Sequence, residues 1–239
     1  MPNWCSNTTT VYGSVDDLTK FVEAVKCDER SDEVASDLGS FPEARIFDRL
    51  LPFPENGHAT LTQTNGQNLG NVFAKEDETA GTIDGYQWCL DNWGTKWGDC
   101  NTRYEVAPQI AGITGDTHVT FYYDTAWGPA DFSKIAKMYP NLTFITKYEE
   151  GGMGFVGAWA WKDGEDAYDH TVNSSDQIYP EHPPFDDDGE LDDALYEAWL
   201  NSMSDLMGLL ESQAQRACDV PPDDKQMRKV HKDMVARSG

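Results

Sequence analysis

Three runs, HVTFYY (His118–Tyr123), LTFITKY (Leu142–Tyr148) and FVGAWAW (Phe155–Trp161), most constrain what this chain can fold into. Each is dense in β-branched and aromatic residues and is bounded by turn-forming text, so each predicts a strand. Between the first two, Trp127-Gly128-Pro129 breaks the strand, and Phe132, Ile135, Ala136 and Tyr139 then recur at helical spacing. EEGGMG joins the second and third as a turn. A fourth strand is predicted over Trp4–Tyr12, ending at Gly13. It is followed by a helix capped at Ser14, with acids in its first turn and Leu18, Phe21, Val22 and Val25 on one face. Ile46–Leu51 reads as a further strand, stopped by the prolines of PFPENG.

This alternation predicts an α+β fold, a ferredoxin-like split β-α-β sheet with an inserted loop or helix and an added edge strand. The expected organisation is a domain over residues 1–162, with the insertion at about 55–105, and an acidic linker over 163–189. An amphipathic C-terminal helix over 190–219 and a mobile tail over 220–239 complete it. Leu191, Leu195, Trp199, Leu206 and Leu210 mark the helix stripe, which either packs across the sheet or meets another chain, a possible dimer contact.

The insertion contains YQWCLDNWGTKW. A continuous helix would stack Tyr86, Leu90, Trp93 and Trp97 on one face. Alternatively, Gly94 ends the helix in a left-handed cap and sends Thr95-Lys96-Trp97 out as an extended exit.

Charge excludes whole classes of partner. With 42 Asp and Glu against 18 Lys and Arg, the net charge is −24. Direct binding to nucleic acid or to anionic membranes is disfavoured, because both are polyanions. From Asp163 to Gln215 there are fifteen Asp and Glu and no Lys or Arg, whereas Pro221–Gly239 carries five Lys and Arg against three Asp. The five cysteines are widely spaced with no C-x-x-C pair, which fits reduced thiols. The opening MPNWCSNTTT has no signal-peptide pattern, and no apolar run has the length of a membrane span, so a cytoplasmic protein is expected.

Signatures of catalysis and cofactor binding fail on inspection. Gly152-Met153-Gly154-Phe155-Val156-Gly157 matches the spacing of a dinucleotide loop, but strand-like text follows it and a hairpin turn explains the glycines better. FDDDGE has the wrong residues at the first and last positions of a calcium loop. The histidines lack metal-ligand spacing, and Cys5 on a strand reads as an inert small hydrophobe. No enzyme activity, metal or cofactor is expected.

What remains is an aromatic and small-polar constellation in three places, comprising Asn3 and Trp4, then Trp93, Thr95, Lys96 and Trp97, then Thr125 and Trp127. Aromatic walls with a few converging polar groups are the usual design of a small-ligand site. Trp93 and Trp97 are expected to pack, with Lys96 directed outward as a cation–π anchor or an anion contact.

The same stretches carry a resemblance. MPNWCSN (Met1–Asn7), LLPFPE (Leu50–Glu55), the text from Tyr86 to WGTKW, TAWGP (Thr125–Pro129) and YEEGGMGFVG (Tyr148–Gly157) together resemble the YubB-type ferredoxin-like proteins over residues 1–162. The chain departs from that pattern at Gln87, where the family text has glycine, and at Pro129-Ala130, where it has two prolines. The resemblance implies a ferredoxin-like fold and a plasmid or phage context, hence an accessory task such as countering host defence. It supplies no mechanism.

Three functions follow from these readings. The favoured one is a protein that binds a basic host protein, one that handles nucleic acid or acts in defence, as a duplex mimic in the host cytoplasm. Asp186, Asp187, Asp188, Asp192 and Asp193 are its expected partner-binding residues. The second is a small-ligand module or enzyme built on residues 93–97. The third is a salt-adapted acidic scaffold, which the excess of Lys over Arg opposes.

Overall fold

The computed structural model describes residues 3–27, 43–53, 85–106, 117–176 and 193–220. The elements in chain order are β1 (Trp4–Gly13), α1 (Val15–Val25), α2 (Ile46–Leu50), α3 (Gly85–Trp93), β2 (Cys100–Val106), β3 (Thr117–Ala126), α4 (Ser133–Met138), β4 (Thr143–Glu150), β5 (Phe155–Lys162), β6 (Glu165–Asn173) and α5 (Asp193–Ala217). The strands form one antiparallel sheet in the order β2-β3-β1-β4-β5-β6. The first four have the ferredoxin-like arrangement. β1 and β2 run parallel with β3 between them, and β3 and β4 run parallel with β1 between them. β5 and β6 extend the sheet past β4 as a meander.

Side-chain alternation gives the sheet two different faces. On one, Val11, Val119, Phe121, Phe144 and Trp161 pack with Leu18, Phe21 and Val25 of α1, Ile46 and Phe47 of α2, and Ile135 and Ala136 of α4. Phe21 sits edge-on to Phe121 and Phe144, with ring centroids 5.7 and 5.5 Å apart. On the other, Ile145, Val156, Ala158, Ala160 and Val172 meet Met203, Leu206, Leu210 and Ala214 of α5. The C-terminal helix therefore lies across β4, β5 and β6. Trp199, Met203, Leu206, Leu210, Ala214 and Cys218 recur every three or four residues on its packed side.

Three expectations change. Residues 46–50 are helical. Burial of Ile46 and Phe47 on one face favours a turn of helix, and the Asp99 carboxylate receives both of their backbone N–H groups at 2.8 Å. β2 lies where an insertion of about 55–105 was expected, and residues 54–84 fall outside the described part. The first part of the expected linker at 163–189 is β6, a polar edge strand in which only Val172 is buried. Residues 177–189 of that linker, 190–192 of the expected helix and 221–239 of the tail lie outside the described residues.

Candidate functional site at the aromatic end of the sheet

The start of β1 and the end of β3 lie side by side, with Trp4 opposite Ala126 and Cys5 opposite Thr125. The WGTKW segment is fastened to this end. α3 stops at Trp93, and Gly94 takes the left-handed φ of 72°, so the second of the two readings holds and Trp97 does not share the helix face. A side chain at Gly94 would also meet Asp131, its Cβ lying 2.7 Å from that of Asp131. The Thr95 hydroxyl donates to Ala126 O at 2.6 Å, the Asp131 N–H donates to Trp93 O at 3.0 Å, and the Trp127 N–H donates to Asn3 O at 2.9 Å.

All eight aromatic and small-polar residues singled out in the sequence belong to this end of the sheet, but they divide into two groups. Trp93, Thr95 and Thr125 are buried ties. The Trp93 indole donates to Leu51 O at 2.9 Å, and Thr125 accepts from Asn7 Nδ2 at 2.8 Å while donating to Gly128 O at 2.6 Å. Asn3, Trp4, Lys96, Trp97 and Trp127 reach the surface. Trp4 and Trp127 are 45% and 46% exposed, large apolar surfaces left in water. The Trp4 and Trp97 rings are 5.5 Å apart, and Lys96 Nζ stands 5.3 Å from the centre of the Trp97 ring. Trp127 has a φ of 75°, a left-handed conformation costly for a bulky residue.

The other candidate features resolve into structure. Gly154 turns the β4–β5 hairpin with a φ of 70°. Glu150 is buried and accepts from the N–H groups of Gly152 and Met153, closing the same turn. Gly157 lacks a side chain because Tyr148 lies across it and hydrogen-bonds Thr171 at 2.6 Å. The dinucleotide-like spacing is thus the imprint of a hairpin. Burial pushes the Cys5 thiol up to about 12, so it stays protonated at neutral pH. Among the described residues no group of His, Cys, Asp or Glu converges in a way that could hold a metal ion, and no helix is long and apolar enough to cross a membrane. Asp186, Asp187, Asp188 and Asp192 lie outside the described residues, and Asp193 begins α5.

Sequence reading missed Asp99, Ser6, Tyr122, Asp124 and Glu149. Asp99 is buried with its carboxylate on Ile46 N, Phe47 N and Thr102 Oγ1, and burial raises its pKa. The other four share one sheet face. Their grouping follows from strand register, which the sequence does not state.

With this geometry established, one family model agrees with the fold. Residues 93–182 match the family model described as a ferredoxin-like domain in Api92-like protein. The chain is a ferredoxin-like α+β protein. The match begins at Trp93 and spans β2 to β6. Among solved structures, protein api92 from Yersinia pseudotuberculosis is similar at 12% identity and a TM-score of 0.32, over 41% of this chain and 33% of that one. The chain thus spans about a third of the solved structure it matches. No curated protein matches the chain.

Proposed function

We propose that the protein is a YubB-type accessory protein of a plasmid or phage that binds a basic surface on a host protein and inhibits or redirects it. It acts by binding and not by catalysis, in the host cytoplasm, and its carboxylates stand in for the phosphates of a duplex. β6 carries this reading. Within a zone of fifteen acids and no Lys or Arg from Asp163 to Gln215, Glu165, Asp166 and Asp169 are exposed on a strand at the edge of the sheet formed by the described residues. Carboxylates held on a strand keep a fixed spacing, which a flexible run does not. A basic nucleic-acid channel attracts such a surface and rejects like charge. The same charge repels polynucleotide and anionic lipid, so the partner is a protein. Affinity capture from bacterial extract on the immobilised chain, eluted with duplex DNA or RNA, tests the reading. A retained protein with a basic cleft that polynucleotide displaces supports it, and a partner indifferent to polynucleotide contradicts it.

The second reading, a small-ligand module or enzyme around residues 93–97, is favoured by one observation. The Trp127 backbone is held in a left-handed conformation while its side chain stays 46% exposed, and strained exposed residues cluster at binding sites. A ligand that quenches tryptophan fluorescence, and is lost on Lys96→Ala, would favour it.

A further inference from the structure

Among the described residues, α5 covers β4, β5 and β6 and leaves the same face of β2, β3 and the start of β1 open. Trp4, Ser6 and Thr8 of β1 project from that face beside Tyr122 and Asp124 of β3 and Glu149 of β4. The register is specific. Ser6 is opposite Asp124 on one side and opposite Glu149 on the other, so the two carboxylates flank one small side chain. Neighbouring strands are about 4.8 Å apart, which sets the two carboxylate-bearing backbones about 10 Å from each other. Asp124 accepts from the Ser6 hydroxyl at 3.1 Å, and the exposed ring of Tyr122 has its hydroxyl 3.5 Å from Glu105.

Two cations on the described strands of this face are committed elsewhere, and Lys96 stands over the Trp97 ring that packs on Trp4. Lys147, opposite Thr8, pairs with Glu211 of α5 at 2.8 Å, and Arg103, opposite Tyr122, pairs with Glu43 at 3.3 Å. Asp124, Glu149 and Glu105 form no ion pair among the described residues. Partial burial of Glu149 raises its pKa, the mark of a carboxyl whose water has been partly removed without a counter-charge. A cation arriving there gains more than one meeting a fully hydrated carboxylate.

We propose that this open face is the docking surface for an extended, arginine-bearing segment of the partner protein. The inference rests on the acidic-binder reading above and names where and what that binder grips. A guanidinium over Ser6 can reach Asp124 and Glu149 with its planar fork, which an ammonium cannot do. Trp4 and Tyr122, 45% and 41% exposed, offer ring faces to the neighbouring cations. Trp4, Ser6 and Thr8 repeat every two residues, the period of an extended peptide laid along β1. The carboxylates of Asp124, Glu149 and Glu105 repel a polynucleotide from this face.

The test is a tryptophan-fluorescence titration of the full chain with a short synthetic peptide carrying arginine at alternate positions, at low salt. Asp124→Asn with Glu149→Gln is expected to weaken binding about tenfold or more, the scale of losing two charge-assisted contacts. Trp4→Ala should weaken it severalfold, and a lysine version of the peptide should bind less tightly than the arginine one. Circular dichroism confirms that the variants fold. Unchanged affinity in the Asp124/Glu149 variant overturns the proposal. If Glu165→Gln with Asp166→Asn and Asp169→Asn abolishes that same binding, the acidic-binder reading survives and only the face is wrong. Failure of the peptide to bind the chain at all overturns both. Binding that emerges only after Lys225, Arg228, Lys229 and Lys232 are replaced by Ala assigns the face to the chain's own basic tail, which also overturns the proposal.

Discussion

Replacing Gly157 by alanine tests whether the β4–β5 hairpin is shaped by packing or by a ligand loop. A Cβ at Gly157 would lie 2.2 Å from Tyr148 Oη and 2.3 Å from Cζ, distances that no contact of carbon with oxygen or carbon tolerates. The ring would have to move by about an ångström or more to reach ordinary van der Waals separation. That movement breaks the 2.6 Å bond from Tyr148 to Thr171 in a site only 1% exposed. It also disturbs the edge-on contacts with Phe155 and Trp159, at 6.1 and 5.5 Å. A lost hydrogen bond costs about 1 kcal/mol, each aromatic pair about 0.5–1.5 kcal/mol, and overpacking about 1–3 kcal/mol. Alanine recovers about 0.4–1 kcal/mol by restricting the unfolded chain. The expected net loss is about 2–6 kcal/mol, read from urea or guanidinium unfolding with Gly128→Ala as a neutral control, since a Cβ there meets nothing within 4 Å. In a Tyr148→Leu background the same change should cost much less, because the clash is gone. A loss below about 1 kcal/mol in the wild-type background, or equal losses in both, would refute the packing account.

Trp93→Ala should destabilise by about 3–5 kcal/mol as truncation of a buried aromatic, whereas Lys96→Ala should change stability by less than about 0.5 kcal/mol in the same unfolding assay. Asp99→Ala strands the N–H groups of Ile46 and Phe47, and should cost about 2–4 kcal/mol with increased amide exchange at those two residues. Binding of the arginine peptide needs ionised carboxylates. It should therefore be complete at neutral pH and fall as pH drops through the Glu149 pKa, which lies above the ordinary 4.5, so the loss begins at higher pH than for an unperturbed glutamate.

The central strands were legible because both of their faces are buried or half-buried, so Phe144, Ile145, Val156 and Trp161 make the text apolar. β2 and β6 were not, because each lies at a sheet edge and the sequences CNTRYEV and EDAYDHTVN are mostly polar. A linker and a polar edge strand look alike until their neighbours are known. Ile46–Leu50 was misread as strand because its N-terminal acceptor, Asp99, comes from far along the chain. The aromatic cluster was legible as text, including Gly94 as a helix stop. The division into buried Trp93 and exposed Trp4 and Trp127 was not, nor was the placement of Ser6 between Asp124 and Glu149. Both depend on strand register, which the sequence does not state.

The central claim is that negative charge on this chain grips a basic partner. The direct measurement is the association rate with the captured partner as a function of salt, for the wild type and for a variant with Asp186, Asp187, Asp188, Asp192 and Asp193 replaced by Asn. The account predicts a rate that falls steeply between low and moderate salt, competition by polynucleotide, and weaker binding by the folded variant. A salt-independent rate together with an unchanged affinity in the variant would contradict it.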